Sequence, residues 1–283
     1  MIRKLLLVAV PILAGWTSAA PAAVSVADRG RLWRDHVVHF AICETAKPED
    51  AAPTELSSGC NDGTRPLAAA DAAKVREAVA EWNNAFGGEL RFVAVDAVRG
   101  SQRGVLFSRS KRDENCSTDR IGRPRISYRT NVKLGSRCNG FASNETPVGT
   151  ILHEMMHVAG FYHEHQRPDR DAYLKSRVPD DFVSVLFDIE NAHQWVKGSR
   201  LWMLTPYDFQ SIMHYPIRNP KKAMLTFGGF QRLEAQGLSM TDPGRRDGFS
   251  ADDIEGLKRL YAKKPSDALA KRESVADKER TPL

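Results

Sequence analysis

The sequence predicts an α+β domain built in two halves with a cleft between them. Three observations lead there. Strand-like and helix-like segments alternate through the first half, and loops with a single late helix fill the second. Between the halves lies HEMMHVAGFYHEH, residues 153 to 165, with four histidines and two glutamates in thirteen positions.

RLWRDHVVHFAI opens the domain as a strand, because Val37, Val38, Phe40 and Ile42 supply β-branched and aromatic side chains. The stretch CETAKPEDAAPTELSSGCNDG is rich in Pro, Ala, Ser and Gly and reads as a loop between two cysteines. DAAKVREAVAEWNNAF is helical, with Val75, Ala78, Val79 and Trp82 recurring at spacings of three and four. Gly87 and Gly88 stop it, and LRFVAV, GVLFS and RISYRT follow as short strands. A second helix starts near Thr146 or Pro147 and carries GTILHEMMHVAG, with proline suited to its first turn and Gly160 to its end. After the long loops from RPDRDAYL onward, SADDIEGLKRLY is the late helix, with Ser250 as N-cap and acids in its first turn.

The two ends stand apart from this body. Arg3 and Lys4 precede the apolar run LLLVAVPILAGW, and small residues TSAAPAA follow it, the pattern of a secretory signal peptide over residues 1–22. Pro11 interrupts the run and it is short for a membrane span, so cleavage before Ala23 and export to the periplasm or medium are expected, with no membrane contact afterwards. Residues 23–262 form the expected domain between these two ends. Residues 263–283 are charged, lack large apolar side chains and are expected to be a disordered tail. The net charge of +6 is scattered among acids, which gives nucleic-acid binding little support and favours a solvated mixed-charge surface, and a monomer is expected. In an oxidising compartment Cys43, Cys60, Cys116 and Cys138 are expected to pair. Of the three pairings, the local one (43 with 60, 116 with 138) is preferred because it closes two short loops.

The histidine run carries the chemistry. His153 and His157 are four apart, so on a helix their rings lie on one face where one ion can bridge them. Glu154 lies beside the first and can reach a water on that ion. Gly160 can adopt a left-handed conformation and turn the chain, so that His163 arrives from the side as a third ligand. Three protein ligands with one open position is the catalytic arrangement of zinc, whereas structural sites are closed by four. Such an ion makes water acidic and polarises a carbonyl, and Glu154 would carry the proton. His36, His39, His165, His193 and His214 are read as ordinary solvated or packed side chains.

HEMMHVAGFYHEHQRPDRD resembles the zinc signature of the astacin metalloendopeptidases, a branch of the metzincins, with Glu164, Arg167, Asp169 and Arg170 in the branch's own pattern. TPYDFQSIMHYP resembles the astacin Met-turn, and further likeness runs through REAVAEWNNAFGGELRFV, ENCSTDRIGRPRIS and FSADDIEGLKRLY, so that residues 31 to 262 are covered. The resemblance implies a zincin-like fold: an N-terminal subdomain with a twisted sheet and two helices, a mostly irregular C-terminal subdomain with a late helix, and zinc in the cleft. It implies one catalytic zinc on His153, His157 and His163, Glu154 as general base, and Tyr215 as a displaceable ligand that swings to stabilise the oxyanion. Met213 would support the site by packing. The implied activity is hydrolysis of protein or peptide substrates. Cys116 and Cys138 match a disulfide of the family.

The sequence also departs from the family. No cysteine lies beyond 138 to clamp the start of the domain to its end, and the long propeptide usual in animal members is expected to be missing. In the family, the glutamate after the third histidine engages the new N-terminus; signal cleavage at or near Ala23 is therefore expected to create the N-terminus that Glu164 engages, the alternative being a simple pair between Glu164 and a nearby arginine. Lys221 and Lys222 stand at about the place where some family members carry an arginine favouring acidic residues after the scissile bond, and a solvated pair of lysines is the equal alternative. A zinc-stabilised binding protein and a metallo-amidase acting on cell-wall peptides are the rival functions; Glu154 disfavours the first.

Overall fold

A computed structural model of the chain describes residues 23–26, 28–45, 60, 64–98, 103–110, 116–125, 129–135, 147–176, 201–217 and 223–262. The signal segment, the tail, most of the loop between Cys43 and Cys60, Cys138, His193, Lys221 and Lys222 lie outside them. The first half contains β1 (Val24–Val26), β2 (Val37–Ile42), α1 (Ala69–Phe86), β3 (Arg91–Ala94), β4 (Gly104–Arg109), β5 (Ser117–Thr118) and β6 (Arg129–Leu134). Then come α2 (Pro147–Ala159), β7 (Leu174–Ser176), β8 (Leu201–Met203), β9 (Ala223–Leu225), α3 (Phe227–Ala235) and α4 (Ala251–Tyr261).

The main sheet has the order β3-β2-β4-β6-β5. Its first four strands are parallel, and the short β5 runs antiparallel to β6 at the edge. Parallel neighbours need crossovers, and α1 is one of them, joining β2 to β3. Its apolar stripe, Ala72, Val75, Ala78, Val79, Trp82 and Phe86, is wholly buried, as the helical spacing predicts. The end of α1 is tied to the sheet by polar contacts as well as packing. Trp82 Nε1 donates to the Leu90 carbonyl at 2.8 Å. The Asn83 amide donates to the Phe92 carbonyl and accepts from its N–H, each at 2.9 Å, as a neighbouring strand would. Phe86, Phe92 and Phe249 pack around the Trp82 ring at centroid distances of 4.8 to 5.6 Å.

RISYRT is expected as a strand; among the described residues that strand holds its last two residues and runs on through NVKL, alternating buried Thr130, Val132 and Leu134 with more exposed partners. In the second half, α4 is the expected late helix: the Ser250 hydroxyl accepts from Asp253 N, and the Asp253 carboxylate accepts in turn from Ser250 N, a capping box. A further helix, α3, precedes it, capped by Thr226. Its Phe227 and Phe230 are exposed and Gly228 and Gly229 interrupt its start, so it lacks the apolar stripe that would announce it.

Short ribbons stitch the halves together. Antiparallel β1 pairs with β8, and Ser25 also bridges Phe161 just past the end of α2. The start of the described chain is drawn inward: Ala23 is buried, its carbonyl accepts from Leu204 N, and it lies against Gly256 of α4. A side chain at 256 would meet Ala23 at 2.7 Å, so only glycine lets the helix approach this closely. Cys43 and Cys60 form a disulfide, the expected local pairing. Cys116 is disulfide-bonded too. Among the described residues no helix is long and apolar enough to cross a membrane.

Candidate metal centre

Helix α2 is buried on every side from Gly149 to Ala159, so the polar residues it carries are inside the protein. A helix leaves its last carbonyls without intrahelical partners. Here three are taken by groups from distant parts of the chain. Gly122 N donates to His157 O, Trp33 Nε1 to Val158 O and the Tyr261 hydroxyl to Ala159 O, each at 2.8 Å. The helix can therefore stop abruptly. Gly160 follows with φ +111, a conformation L-residues rarely adopt, and the chain turns back across the face that carries the first two histidines.

The turn brings His163 to them. His163 Nε2 lies 3.2 Å from His153 Nε2 and 3.1 Å from His157 Nε2. The outer nitrogens are held: His153 Nδ1 donates to the Ile212 carbonyl at 2.7 Å and His157 Nδ1 to the Phe161 carbonyl at 2.8 Å. A carbonyl can only accept, so both Nδ1 atoms carry the proton and both Nε2 atoms present lone pairs. Burial pushes the pKa of all three rings down, most strongly for His153 and His163, which keeps them neutral. Lone pairs converging on one point repel unless a cation sits there, and this donor set fits a zinc ion.

The surroundings fix the triad from the second half of the chain. Ile212, whose carbonyl orients His153, is held by Asp253 of α4, which accepts from Ile212 N at 2.9 Å and from the Ser211 hydroxyl at 2.6 Å. Met213 is buried, and its carbonyl accepts from Glu164 N. The Tyr215 ring packs 4.6 Å from His163 and 4.5 Å from His165, with the Arg246 guanidinium 5.7 Å over it. Glu154 is buried on α2 beside the triad, and its Oε2 accepts from the Thr118 hydroxyl at 2.6 Å.

Glu164 makes the arginine pair that the sequence offers as an alternative to the N-terminus. Its Oε1 accepts from Asp208 N at 3.0 Å and pairs with Arg167 Nη1 at 3.3 Å; burial raises its pKa to about 8. Arg167, fully buried, also grips Asp169 with two parallel bonds of 2.8 and 2.6 Å, which locks the loop after the third histidine. His165 and His214 behave as packing residues. His214 bridges Tyr207 and the Tyr215 carbonyl, and His36 bonds the Glu89 carbonyl. Sequence reasoning misses Thr118, Arg246, Asp253 and the carbonyls of Phe161 and Ile212. Backbone carbonyls carry no side-chain signal, and the other three reach the site only through tertiary packing.

Fold and site together define a metzincin-type zinc protein, with one three-histidine centre among the described residues. A model of the Astacin peptidase family matches residues 65–262. The chain belongs to the astacin family. Residues of the chain are 35% identical over 113 positions to an astacin-like metalloendopeptidase of Mus musculus, covering 40% of this chain and 23% of that protein. They are 36% identical over 115 positions to zinc metalloproteinase nas-7 of Caenorhabditis elegans, covering 40% and 27%. The chain thus aligns with only about a quarter of the length of these relatives. Among solved structures, high choriolytic enzyme 1, a hatching enzyme zinc-protease from Oryzias latipes, matches with a TM-score of 0.50 at 20% identity, covering 82% of this chain and 94% of that one. At that identity the likeness speaks for the fold.

Proposed function

We propose that the chain is an exported zinc endopeptidase that hydrolyses peptide bonds in protein or peptide substrates. The observation that carries this reading is the convergence of three neutral imidazoles, two with their outer nitrogens already bonded, with a buried carboxylate on the same helix. A zinc ion held by His153, His157 and His163 supplies Lewis acidity toward a water and a peptide carbonyl. Glu154 takes the water's proton and returns it to the leaving amine. Tyr215, packed on His163, donates its phenol hydrogen to the developing oxyanion. Arg246 above that ring adds positive charge on the same side.

The same reading takes residues 1–22 as the export signal, 23–262 as the catalytic domain acting as a monomer, and 263–283 as a tail. The inward burial of Ala23 supports a mature chain that begins there. The test is cleavage of a denatured protein by the secreted form, with and without a zinc chelator, beside a Glu154→Gln variant. Chelation should abolish cleavage, and the substitution should lower kcat by roughly 100- to 10,000-fold, the usual weight of a general base. Chelator-insensitive cleavage, or full activity in the variant, would overturn the reading.

A further inference from the structure

Thr118 lies on β5, the edge strand of the main sheet, where it pairs with Val132 and faces α2. Its hydroxyl is 2.6 Å from Glu154 Oε2, within the range of a charge-assisted O–H···O⁻ bond. It is also 3.2 Å from the Glu154 backbone carbonyl. Among the described residues Thr118 is the hydrogen-bonding partner of the Glu154 carboxylate, and Oε1 is left for another contact. Thr118 is itself bracketed. Cys116 on one side is disulfide-bonded. On the other, Asp119 accepts from Asn131 N at 2.9 Å and from its side-chain amide at 2.7 Å. A two-residue strand is thus pinned at both ends around one hydroxyl.

We infer that Thr118 is a positioning residue for Glu154, an inference that rests on Glu154 being the base of the proposed peptidase reaction. A glutamate side chain has several rotatable bonds and must be held to carry a proton along a short path. Thr118 holds Oε2 and so limits the orientations open to the rest of the carboxylate. The hydroxyl has one proton and two acceptors on the same residue. Pointed at Oε2, it suits the carboxylate before proton uptake. Turned to the carbonyl, it offers its own lone pair to the carboxylic acid that results. Neither orientation involves a zinc ligand, because both acceptors belong to Glu154.

The test compares Thr118→Val, which keeps the branched shape, with Thr118→Ser, which keeps the hydroxyl, on the secreted zinc-loaded protein. Cleavage of a fluorogenic peptide gives kcat and KM, and metal analysis gives zinc per chain. The Val variant should lose about 10- to 100-fold in kcat, the weight of one hydrogen bond to a charged group, with KM within about twofold and full zinc. The Ser variant should recover to within about threefold of the parent. Thr118→Ala carries the same expectation as Val should the latter not fold. Wild-type kcat in the hydroxyl-free variants, equal losses in Val and Ser, or loss of zinc would overturn the inference. A Glu154→Gln control separates the two failures: if it is fully active the peptidase reading falls, and if it is inactive while Thr118→Val is unimpaired only the positioning role falls.

Discussion

Tyr261→Phe removes one oxygen atom from the end of α4 and leaves the ring in place. That oxygen donates to the Ala159 carbonyl at 2.8 Å, with both residues buried. Burial raises the phenol's pKa, so it remains a donor at every pH of interest. Without it the carbonyl has neither its partner nor access to water, which costs about 1–3 kcal/mol. The deleted hydroxyl no longer needs desolvating, which offsets part of this and leaves about 1.5 kcal/mol net. For a domain of this size each kcal/mol is worth about 2–4 °C, so the melting temperature should fall by roughly 3–6 °C. Melts are read by circular dichroism at one fixed excess of zinc, because metal binding shifts apparent stability by mass action. Trp33→Phe, which orphans the adjacent Val158 carbonyl, should give a loss at least as large, since it also gives up buried indole area. A Tyr261→Phe melt within about 1 °C of the parent would refute the idea that this hydroxyl holds the helix end.

Two further outcomes follow from the same geometry. Gly160→Ala forces an L-residue to φ +111 at the turn that delivers His163; it should cost about 1–3 kcal/mol and weaken zinc binding at least tenfold by equilibrium dialysis, and unchanged affinity would show that the turn tolerates a side chain. Burial lowers the His214 pKa to about 4 from 6.5, so its contribution is fully present above pH 6.5 and is lost as pH falls toward 4. Between pH 7 and 5 the parent should lose about 2 kcal/mol more, by urea denaturation, than a His214→Gln variant, and equal losses would exclude this residue as the cause.

How legible each part is depends on how local its causes are. The triad on α2 can be read because one helix and one glycine generate it: His153, Glu154 and His157 share a turn, and Gly160 returns His163 within six residues of His157. Helix α1 announces itself through a stripe that is wholly buried. Helix α3 does not, because its phenylalanines face outward and its glycines mimic a loop. Strands β1, β5 and β8 are two or three residues long, too short for any alternation to register. For Glu164 the sequence offers both the N-terminus and a nearby arginine, and Arg167, three residues on, is the partner it meets here. Asp253 reads locally as a cap, and only the fold shows that the same carboxylate also holds the stretch of backbone that orients a zinc histidine.

The three donors that hold the end of α2 have a bearing on when the histidine centre can take shape. One of these donors, Trp33, is made early; another, Tyr261, is made only after nearly the whole domain has left the ribosome. Asp253, which steadies His153 through Ile212, is equally late. A partly synthesised chain therefore has its histidines long before it has the groups that hold them in register. The order of translation itself delays an ordered three-histidine centre until α4 has been made.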